Sequence, residues 1–452
     1  MSWKYRIAAI LTLFLTFSAH ALPETGGICV MISIDGLAAH YLDDPKAPMP
    51  TLRELAKEGA RASSMKAVAP TVTWPNHTTL VTGDYPARHG VVGNNYFDRE
   101  AGKKIQLISD PEFDKDQIVK VPTIYDVAKA AGLKTAAIRW PASRNAKTLD
   151  WTIPDVGTNQ LMQRYTTPSL LQECRAAGIY GDKVDFLMNG KADVGAVKTF
   201  ELILEKHHPQ LALLHIIDTD HQQHIHGPNS PEAYAAIKVA DDQVREIWDI
   251  LKKEYPGKAT LFIVSDHGFS SNDELVLPNV LLRKAGLLNV KGLRVIGGSI
   301  ETVIQGGCEF VYITDTAHHD AIASKVREAC KNAKGIEKVI GPDEYPEYGV
   351  ADPKADPHSP DLIIFADNGC YFGDTSAGAI SFADKPERKG SHGHDPNFPN
   401  LHATFIAWGR GIQQGVNVGE IKNIDVAPTI AKLMRLDLGN TDGKPLAGVL
   451  TE

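Results

Sequence analysis

Cysteine is scarce in this chain, and its spacing excludes one class of site. The 452 residues include five cysteines, and no two of them form a Cys-x-x-Cys pair: Cys29, Cys174, Cys308, Cys330 and Cys370. The cysteines are therefore not a metal-binding framework. Cys29 lies in an apolar run and is predicted to be a buried free thiol, whereas disulfides among the other four stay open.

Basic clusters and long apolar runs are also missing from most of the chain. The formal net charge is −8 and no segment concentrates Lys and Arg, so a protein that coats nucleic acid is not expected. After the first 21 residues, no segment has the roughly 20 apolar residues that a membrane-spanning helix needs. Internal repeats are absent as well. The composition, with 43% hydrophobic and 23% charged residues, is that of a globular protein with an ample core.

The first residues have the three regions of an export signal. Lys4 and Arg6 precede a mostly apolar segment, residues 7–17, and Ala19-His20-Ala21 supplies small residues for cleavage. The sequence therefore predicts a signal peptide over residues 1–21 and a periplasmic or secreted protein. The alternative, a membrane anchor, needs a longer apolar core.

Strand and helix patterns alternate along most of the chain. Residues 28–34 predict a strand, and residues 50–59 predict a helix with an early proline and a terminal glycine. Further helices are predicted at residues 122–131, 192–207 and 231–255, each followed by an apolar strand. Such repeated units predict an α/β fold with a largely parallel central sheet and helices on both faces.

The pattern changes between Ser270 and Lys389, where glycine pairs and short β-rich runs become frequent. We interpret residues 270–389 as an inserted cap subdomain. The α/β pattern returns with a predicted strand at residues 403–408 and a helix at residues 426–434. The core domain is therefore predicted to comprise residues 22–269 and 390–452.

Carboxylates and imidazoles lie next to several apolar runs, where an α/β sheet binds ligands. The candidate metal ligands are Asp35, Asp220, His224, Asp266, His267 and His392. Asp220 and His224 are four residues apart, so on a helical turn they share one face. Taken singly, such a pair is more often a solvated Asp-His contact. Together, three carboxylates and three imidazoles suffice for two ions, and nitrogen and oxygen donors without cysteine suit zinc.

A segment rich in hydroxyl groups, residues 70–83, contains a candidate nucleophile. Thr71 and Thr73 precede Pro75 and a stretch that can start a helix. A hydroxyl at this place is usually a helix cap. In the functional interpretation, one of the two hydroxyls is a nucleophile activated by metal, and the helix N–H groups favour phosphate.

These segments resemble the motifs of a known family. In chain order they are Pro70-Thr71-Val72-Thr73-Trp74-Pro75-Asn76-His77, Val81-Thr82-Gly83, His89-Gly90-Val91-Val92-Gly93-Asn94, Asp220-His221-Gln222-Gln223-His224, Asp266-His267-Gly268 and His392-Gly393-His394-Asp395. Over essentially the whole mature chain, the sequence resembles the nucleotide pyrophosphatase/phosphodiesterase family of the alkaline phosphatase superfamily. The resemblance implies an alkaline-phosphatase-like three-layer core with a largely parallel central sheet and an inserted cap subdomain.

The resemblance also implies a role for each candidate residue. Thr73 would be the nucleophile and would lie between two Zn²⁺ ions as a ligand of the metal centre. One zinc ion would be held by Asp220, His224 and His392, and the other by Asp35, Asp266 and His267. Asn94 would help to hold a non-bridging phosphoryl oxygen, whereas the local sequence Gly93-Asn94-Asn95 by itself favours a turn.

The implied activity is hydrolysis of phosphodiester or phosphoanhydride bonds through a phospho-threonine intermediate, with a small phosphodiester or a nucleotide as substrate. A phosphomonoesterase or a phosphonate hydrolase of the same superfamily stays open, as does a non-catalytic metal-binding protein. The sulfatase motif Cys-x-Pro-x-Arg is missing. His77, His89 and His394 are interpreted as residues that orient ligands or lie at the surface.

Overall fold

The computed structural model describes residues 27–108, 113–181, 183–186, 192–292, 294–378, 382–384 and 387–451. The signal peptide predicted for residues 1–21 lies outside the described residues. Within the described ranges, no helix is both long and apolar enough to cross a membrane.

An eight-stranded sheet forms the centre of the molecule. Its strands, in spatial order, are Val416–Asn417, Ala60–Arg61, Phe405–Gly409, Ala259–Val264, Ile28–Ile34, Leu211–Ile216, Thr135–Ile138 and Trp151–Ile153. The last five are parallel to one another, and Phe405–Gly409 pairs antiparallel with Ala259–Val264. The strand Ile28–Ile34 is buried along its whole length, as expected where helices cover both faces. The prediction of a largely parallel central sheet is confirmed.

Alternate side chains of the central strand point to opposite faces of the sheet. Ile32 packs into one apolar cluster that includes the helix Pro231–Glu254. Met31, the preceding residue, packs into a second cluster that includes the helices Thr73–Thr82 and Val426–Met434. A helix layer therefore covers each face, and the core has the three layers that the sequence predicts.

The helices agree with the sequence patterns to within a few residues. Their bounds are Pro50–Glu58, Thr73–Thr82, Pro86–His89, Lys115–Ile118, Ile124–Ala130, Asn159–Tyr165, Pro168–Ala176, Ala192–His207, Asp218–His226, Pro231–Glu254, Pro278–Lys284, His319–Cys330, Tyr345–Tyr348 and Val426–Met434. Short 3₁₀ helices cover Ala39–Leu42, Thr316–His318, Pro399–Leu401 and Asn423–Asp425. The helix predicted from residue 122 begins at Ile124 instead, because the Thr123 side chain accepts a hydrogen bond from the Asp126 N–H and caps it.

Residues 270–389, here called the insert, build sheets of their own. One antiparallel sheet has the strands Ile300–Ile304, Cys308–Ile313, Leu362–Ala366 and Ile336–Ile340, and a second has Cys370–Phe372, Glu274–Val276 and Phe382–Asp384. A smaller pair within the insert is Leu288–Lys291 with Arg294–Gly298, and two further pairs, Asn95–Asp98 with Lys103–Gln106 and Ser64–Lys66 with Glu420–Lys422, lie outside the insert. The two ends of the insert meet, since Ser270–Ser271 pairs with Gly390–Ser391. Its boundaries as a subdomain stay a prediction.

The five cysteines are buried and unpaired in the described part of the chain. The disulfides that the sequence left open among the last four are therefore not formed in this structure. Cys29 is the buried free thiol that the sequence predicts, and burial raises the pKa of this thiol.

Candidate active site

Three neighbouring parallel strands end at one edge of the central sheet, and candidate ligands follow each of them. Asp35 directly follows the central strand Ile28–Ile34, and Asp266 lies just beyond the neighbouring strand Ala259–Val264. The helix Asp218–His226 begins just after the strand on the other side. Carboxyl ends of parallel strands are the usual place for ligands in α/β sheets, so the fold itself gathers these side chains.

Asp220, His224 and His392 form the first group of possible metal ligands. His224 Nε2 lies 3.4 Å from Asp220 Oδ2 and 3.2 Å from His392 Nε2. His392 Nε2 in turn lies 3.4 Å from Asp220 Oδ1. Asp220 and His224 are on one helix, and their four-residue spacing puts them on the same face.

Asp35, Asp266 and His267 form the second group. His267 Nε2 lies 3.1 Å from Asp266 Oδ2 and 3.5 Å from Asp35 Oδ1. All three residues are buried. The remaining oxygen of Asp266 accepts a hydrogen bond of 3.2 Å from the Gly36 N–H, which fixes the orientation of this carboxylate.

The two groups lie against each other. The imidazole rings of His267 and His392 stack, with centroids 3.8 Å apart and an interplanar angle of 17°. Burial, together with the charges of Asp266 and Asp220, raises the pKa of Asp35 well above its usual range. Burial and the neighbouring imidazoles also lower the pKa of His392 well below its usual range. Groups of like charge repel at this separation, and cations between them would relieve the repulsion.

Hydrogen bonds of the three imidazoles determine which ring nitrogen is free. Each ring donates Nδ1–H to a backbone carbonyl at 2.9 or 3.0 Å. These carbonyls belong to Gly390 for His224, to Gly268 for His267 and to Thr71 for His392. The Nε2 lone pair of each ring is therefore directed into its group, which is the tautomer that a metal ligand requires.

Several atoms of the two groups are buried without a hydrogen-bond partner among the described residues. They are Asp35 Oδ1, Asp220 Oδ1, Asp266 Oδ2 and His267 Nε2. Buried polar atoms are normally satisfied, so unpaired acceptors facing one another need an explanation. Metal ions of the zinc class would take these atoms, and the donor set of both groups fits them.

Thr73 is the first residue of the helix Thr73–Thr82, and this helix start contacts both groups. The His77 ring donates Nδ1–H to the Thr73 carbonyl at 2.9 Å and lies 3.5 Å from Asp266 Oδ2. The carbonyl of Thr71 accepts the hydrogen bond from His392. Thr73 is therefore on the segment that runs between the two groups.

The hydroxyls of Thr71 and Thr73 have different surroundings. Thr71 donates its hydroxyl to the His394 carbonyl and accepts from the Gly393 N–H, both at 3.0 Å. The Thr73 hydroxyl has no hydrogen bond within the described part of the chain. The residue before the helix is Val72, which has no polar side chain, and among the described residues neither threonine hydroxyl accepts a hydrogen bond from the first N–H groups of the helix. The capping interpretation is therefore wrong for both threonines, and the Thr73 hydroxyl is the one left available.

Asn94 lies beside the same helix start. Its Oδ1 accepts a hydrogen bond of 2.9 Å from the Trp74 N–H, so the helix that begins at Thr73 orients the carboxamide. The backbone N–H of Asn94 donates to Gln305 Oε1 at 3.1 Å. The side chain of Asn94 is thus hydrogen-bonded to the helix that begins at Thr73, a contact that the turn interpretation alone does not require.

Three histidines that the sequence assigned to ligand orientation or to the surface are all buried. Burial and the neighbouring His215 lower the pKa of His77 to about 3, so this ring is neutral at physiological pH. His89 pairs with the Thr79 hydroxyl at 3.0 Å, and His394 bonds the Cys370 carbonyl at 2.6 Å. The surface alternative is wrong for all three, and His77 is the one within 3.5 Å of a candidate ligand.

Two buried residues that contact the site were not singled out from the sequence. His215 forms a hydrogen bond of 2.9 Å with Asp35 Oδ2, and Gln305 holds the backbone of Asn94. His215 did have a signal, because a polar residue inside an apolar strand must find a buried partner. Gln305 had none, since its contact joins residues 211 positions apart.

The parallel sheet between two helix layers, with paired ligand groups at its carboxyl edge and a threonine at an adjacent helix start, defines an alkaline-phosphatase-like fold. The chain matches the Type I phosphodiesterase / nucleotide pyrophosphatase family over residues 29–395, and it belongs to that family.

Curated relatives of the chain are considerably longer than it is. The human ectonucleotide pyrophosphatase/phosphodiesterase family member 1 is 26% identical over 419 residues, which cover 92% of this chain and 40% of that protein. The venom phosphodiesterase CdcPDE of Crotalus durissus collilineatus is 24% identical over 416 residues, which cover 92% of this chain and 45% of that protein. The chain thus spans less than half the length of these two relatives.

Solved structures share the fold over nearly the whole chain. Human ectonucleotide pyrophosphatase / phosphodiesterase 5 has a TM-score of 0.70 at 22% identity and covers 94% of this chain and 100% of its own. The murine protein of the same name, solved as an inactive variant in complex with AMP, has a TM-score of 0.69 at 21% identity with the same coverage.

Proposed function

We propose that the protein is a two-zinc phosphodiesterase or nucleotide pyrophosphatase that uses Thr73 as its nucleophile. The observation that carries the proposal is the pair of three-ligand groups near a helix-start threonine whose hydroxyl has no hydrogen bond to the described residues. Family membership supports the same chemistry. A structural neighbour is described as binding AMP, which supports a nucleotide or another small phosphodiester as substrate.

Hydrolysis would proceed by two successive displacements at the substrate phosphorus, with Thr73 as the nucleophile in the first. In the first, the Thr73 hydroxyl gives its proton to solvent and its oxygen attacks phosphorus, while the bond from phosphorus to the leaving oxygen breaks and the leaving group departs with that electron pair. In the second, water attacks the phospho-threonine, the bond to the Thr73 oxygen breaks, and the threonine recovers a proton. Zinc bound at the two ligand groups would stabilise the negative charge of the attacking and leaving oxygens.

The protein residues around Thr73 would position the phosphoryl group. The start of a helix carries N–H groups without partners inside the helix and favours the phosphate oxygens. Asn94 has its Oδ1 held by the Trp74 N–H, so its amide nitrogen would be the part available to a non-bridging oxygen. The Nδ1–H donations of the three ligand imidazoles keep their Nε2 atoms directed toward the metal.

Export to the periplasm or the outside of the cell is part of the proposal. It is supported by the signal pattern of residues 1–21 and by the names of the relatives, which include an ectoenzyme and a venom enzyme. A monoesterase or phosphonate hydrolase would use the same ligand groups, so the substrate class needs a direct test.

The test is a rate comparison on purified, zinc-loaded protein. A nitrophenyl phosphodiester, a nitrophenyl phosphomonoester, a phosphonate and ATP are compared under identical conditions, with Thr73→Ala as the matched variant. We expect the diester and ATP to be preferred by roughly a hundredfold, about 2.7 kcal/mol. Thr73→Ala should lose turnover by several orders of magnitude, because the nucleophile is gone, and keep its zinc content.

Two results would contradict the proposal in different ways. Preference for the monoester or the phosphonate would overturn the substrate class and leave the site assignment intact. Full turnover by Thr73→Ala would move the nucleophile elsewhere, with Thr71 the next to be replaced.

A further inference from the structure

The hairpin turn of residues 305–307 joins the insert to the candidate active site. It connects the antiparallel strands Ile300–Ile304 and Cys308–Ile313, and the Gln305 N–H donates to the Cys308 carbonyl at 2.8 Å to close it. Gly306 has a φ of +78°, which favours glycine at the tip. The insert therefore presents a short, well-defined turn to the core.

The side chain of Gln305 makes two hydrogen bonds to one backbone segment of the core. Its Oε1 accepts from the Asn94 N–H at 3.1 Å, and its Nε2 donates to the Asn95 carbonyl at 2.5 Å. Gln305 is 4% exposed, so water does not compete for these groups. A β-carbon added to Gly93 would lie 2.9 Å from Gln305 Nε2, which shows how closely the two segments approach.

The same turn is anchored on the loop that carries His392. The Gly307 N–H donates to the His392 carbonyl at 2.7 Å. A β-carbon on Gly393 would lie only 1.8 Å from the Gln305 carbonyl oxygen, and one on Gly306 would lie 2.4 Å from the His392 carbonyl oxygen. Backbone packs directly on backbone here, so the turn has little freedom to move relative to the ligand loop.

We propose that Gln305 is a positioning residue for Asn94. Through the turn of residues 305–307, it fixes the position of Asn94 relative to the loop that carries His392. The inference rests on the proposed function, since the contact of Asn94 with the phosphoryl group belongs to it. The Trp74 N–H holds the side-chain oxygen of Asn94, the Leu107 N–H holds its carbonyl at 2.9 Å, and Gln305 Oε1 holds its N–H at 3.1 Å. Loss of the Gln305 contact frees the N–H side of this residue and lets the carboxamide shift, and a small misplacement of a substrate-contacting group costs a large part of the rate.

A double-mutant cycle tests this role. Gln305→Met keeps the length of the side chain and removes both hydrogen bonds, and it is combined with Asn94→Ala. Using a nitrophenyl phosphodiester, we expect kcat/KM to fall roughly tenfold for Gln305→Met and roughly a hundredfold for Asn94→Ala. The double variant should match Asn94→Ala alone, because a residue that acts through Asn94 has nothing left to position.

Two further readouts separate positioning from simple structural support. Zinc content should stay at the parent value in Gln305→Met. The dissociation constant of inorganic phosphate, measured by calorimetry on zinc-loaded protein, should rise in both single variants without a further rise in the double variant. Gln106→Met is the matched control, since Gln106 is exposed on the neighbouring strand Lys103–Gln106 and should change nothing.

The outcomes are distinct for each hypothesis. An unchanged kcat/KM in Gln305→Met, or a full tenfold further loss when it is added to Asn94→Ala, overturns the positioning role. If the parent protein prefers the monoester or the phosphonate, the substrate class of the proposed function fails instead, and if Thr73→Ala remains active, its nucleophile does. Should Gln305→Met not fold, Gln305→Glu takes its place in the cycle. It keeps the acceptor for the Asn94 N–H and must show the same lack of additivity, with a smaller loss.

Discussion

Glu309 is a carboxylic acid in the apolar interior of the insert. It lies on the strand Cys308–Ile313 and has no exposed surface. Its polar neighbours are Thr302 and Asn279, which hydrogen-bond each other at 2.9 Å and offset only part of the effect of burial. Burial raises the pKa of Glu309 to about 8, so the side chain is neutral in the folded protein over most of the physiological range.

The raised pKa of Glu309 makes the stability of the protein depend on pH. The folded state holds this proton more tightly than the unfolded state, whose pKa is near 4.5. The stabilisation is therefore complete below about pH 4.5 and is lost as the pH rises toward 8. We expect Glu309→Gln to remove this pH-dependent loss of stability, with a gain on the order of 5 kcal/mol above pH 8.

Urea unfolding of the parent protein and of Glu309→Gln at pH 5, 7 and 9 measures this difference. Glu301→Gln is the control, because Glu301 lies on the adjacent strand Ile300–Ile304 and is partly exposed. A difference between Glu309→Gln and the parent that does not grow with pH would contradict the assignment.

At the scale of elements, neighbouring strands hold each other's functional side chains. His215 is in register with Ser33 across the parallel pair Ile28–Ile34 and Leu211–Ile216. Its Nδ1 lies 3.0 Å from the Arg139 carbonyl oxygen, and its Nε2 lies 2.9 Å from Asp35 Oδ2, within hydrogen-bond distance of each. One strand thus orients the carboxylate that ends the next strand.

We expect His215→Phe to weaken metal binding at the group that contains Asp35. Phenylalanine keeps a ring in the strand and removes the hydrogen bond, and loss of such an outer contact typically costs ten- to a hundredfold, roughly, in metal affinity. Zinc titration should show one of two equivalents bound more weakly. His207→Phe, at a ring that pairs with Glu173 and stacks on Trp151, is the control. Two unchanged equivalents would show that Asp35 is held without His215.

The elements of this fold were predictable to the extent that their signals are local. Buried strands and amphipathic helices follow from periodicity, and Asp220 and His224 could be paired because four residues make about one helical turn. The choice between Thr71 and Thr73 was different. It depends on whether a hydroxyl meets Gly393 and His394, which are more than 300 positions away in the chain. The contact of Gln305 with Asn94 could not be predicted from the sequence for the same reason, because side-chain periodicity carries no information about contacts between distant segments.

At the scale of the whole molecule, the candidate metal centre is a concentration of buried charge that the fold alone does not neutralise. Asp35, Asp266 and His267 are all buried, and their unpaired atoms face one another. Burying a carboxylate without a partner costs several kcal/mol. The three strands that end at this edge are the adjacent central strands of the sheet, so the energetic cost at the site falls on the core of the fold.

Metal binding should therefore stabilise the folded protein as a whole. Zinc that binds the folded state alone should raise the free energy of unfolding by about 2.7 kcal/mol per site when its concentration is a hundred times Kd. We expect a chelator to lower the melting temperature of the parent protein and excess zinc to restore it. The melting temperature of Asp266→Asn should respond about half as much to zinc, because the second group has lost a charged ligand while the first group is unchanged.

In the absence of metal, we expect Asp266→Asn to change the melting temperature in the opposite direction. With chelator present, Asp266→Asn replaces a buried carboxylate by a neutral amide and should melt at or above the temperature of the metal-free parent. Calorimetric melting of both proteins, with chelator and with a series of zinc concentrations, gives the full comparison. If zinc leaves the parent's melting temperature unchanged, the two groups do not bind metal. If Asp266→Asn gains as much from zinc as the parent does, Asp266 is not a ligand.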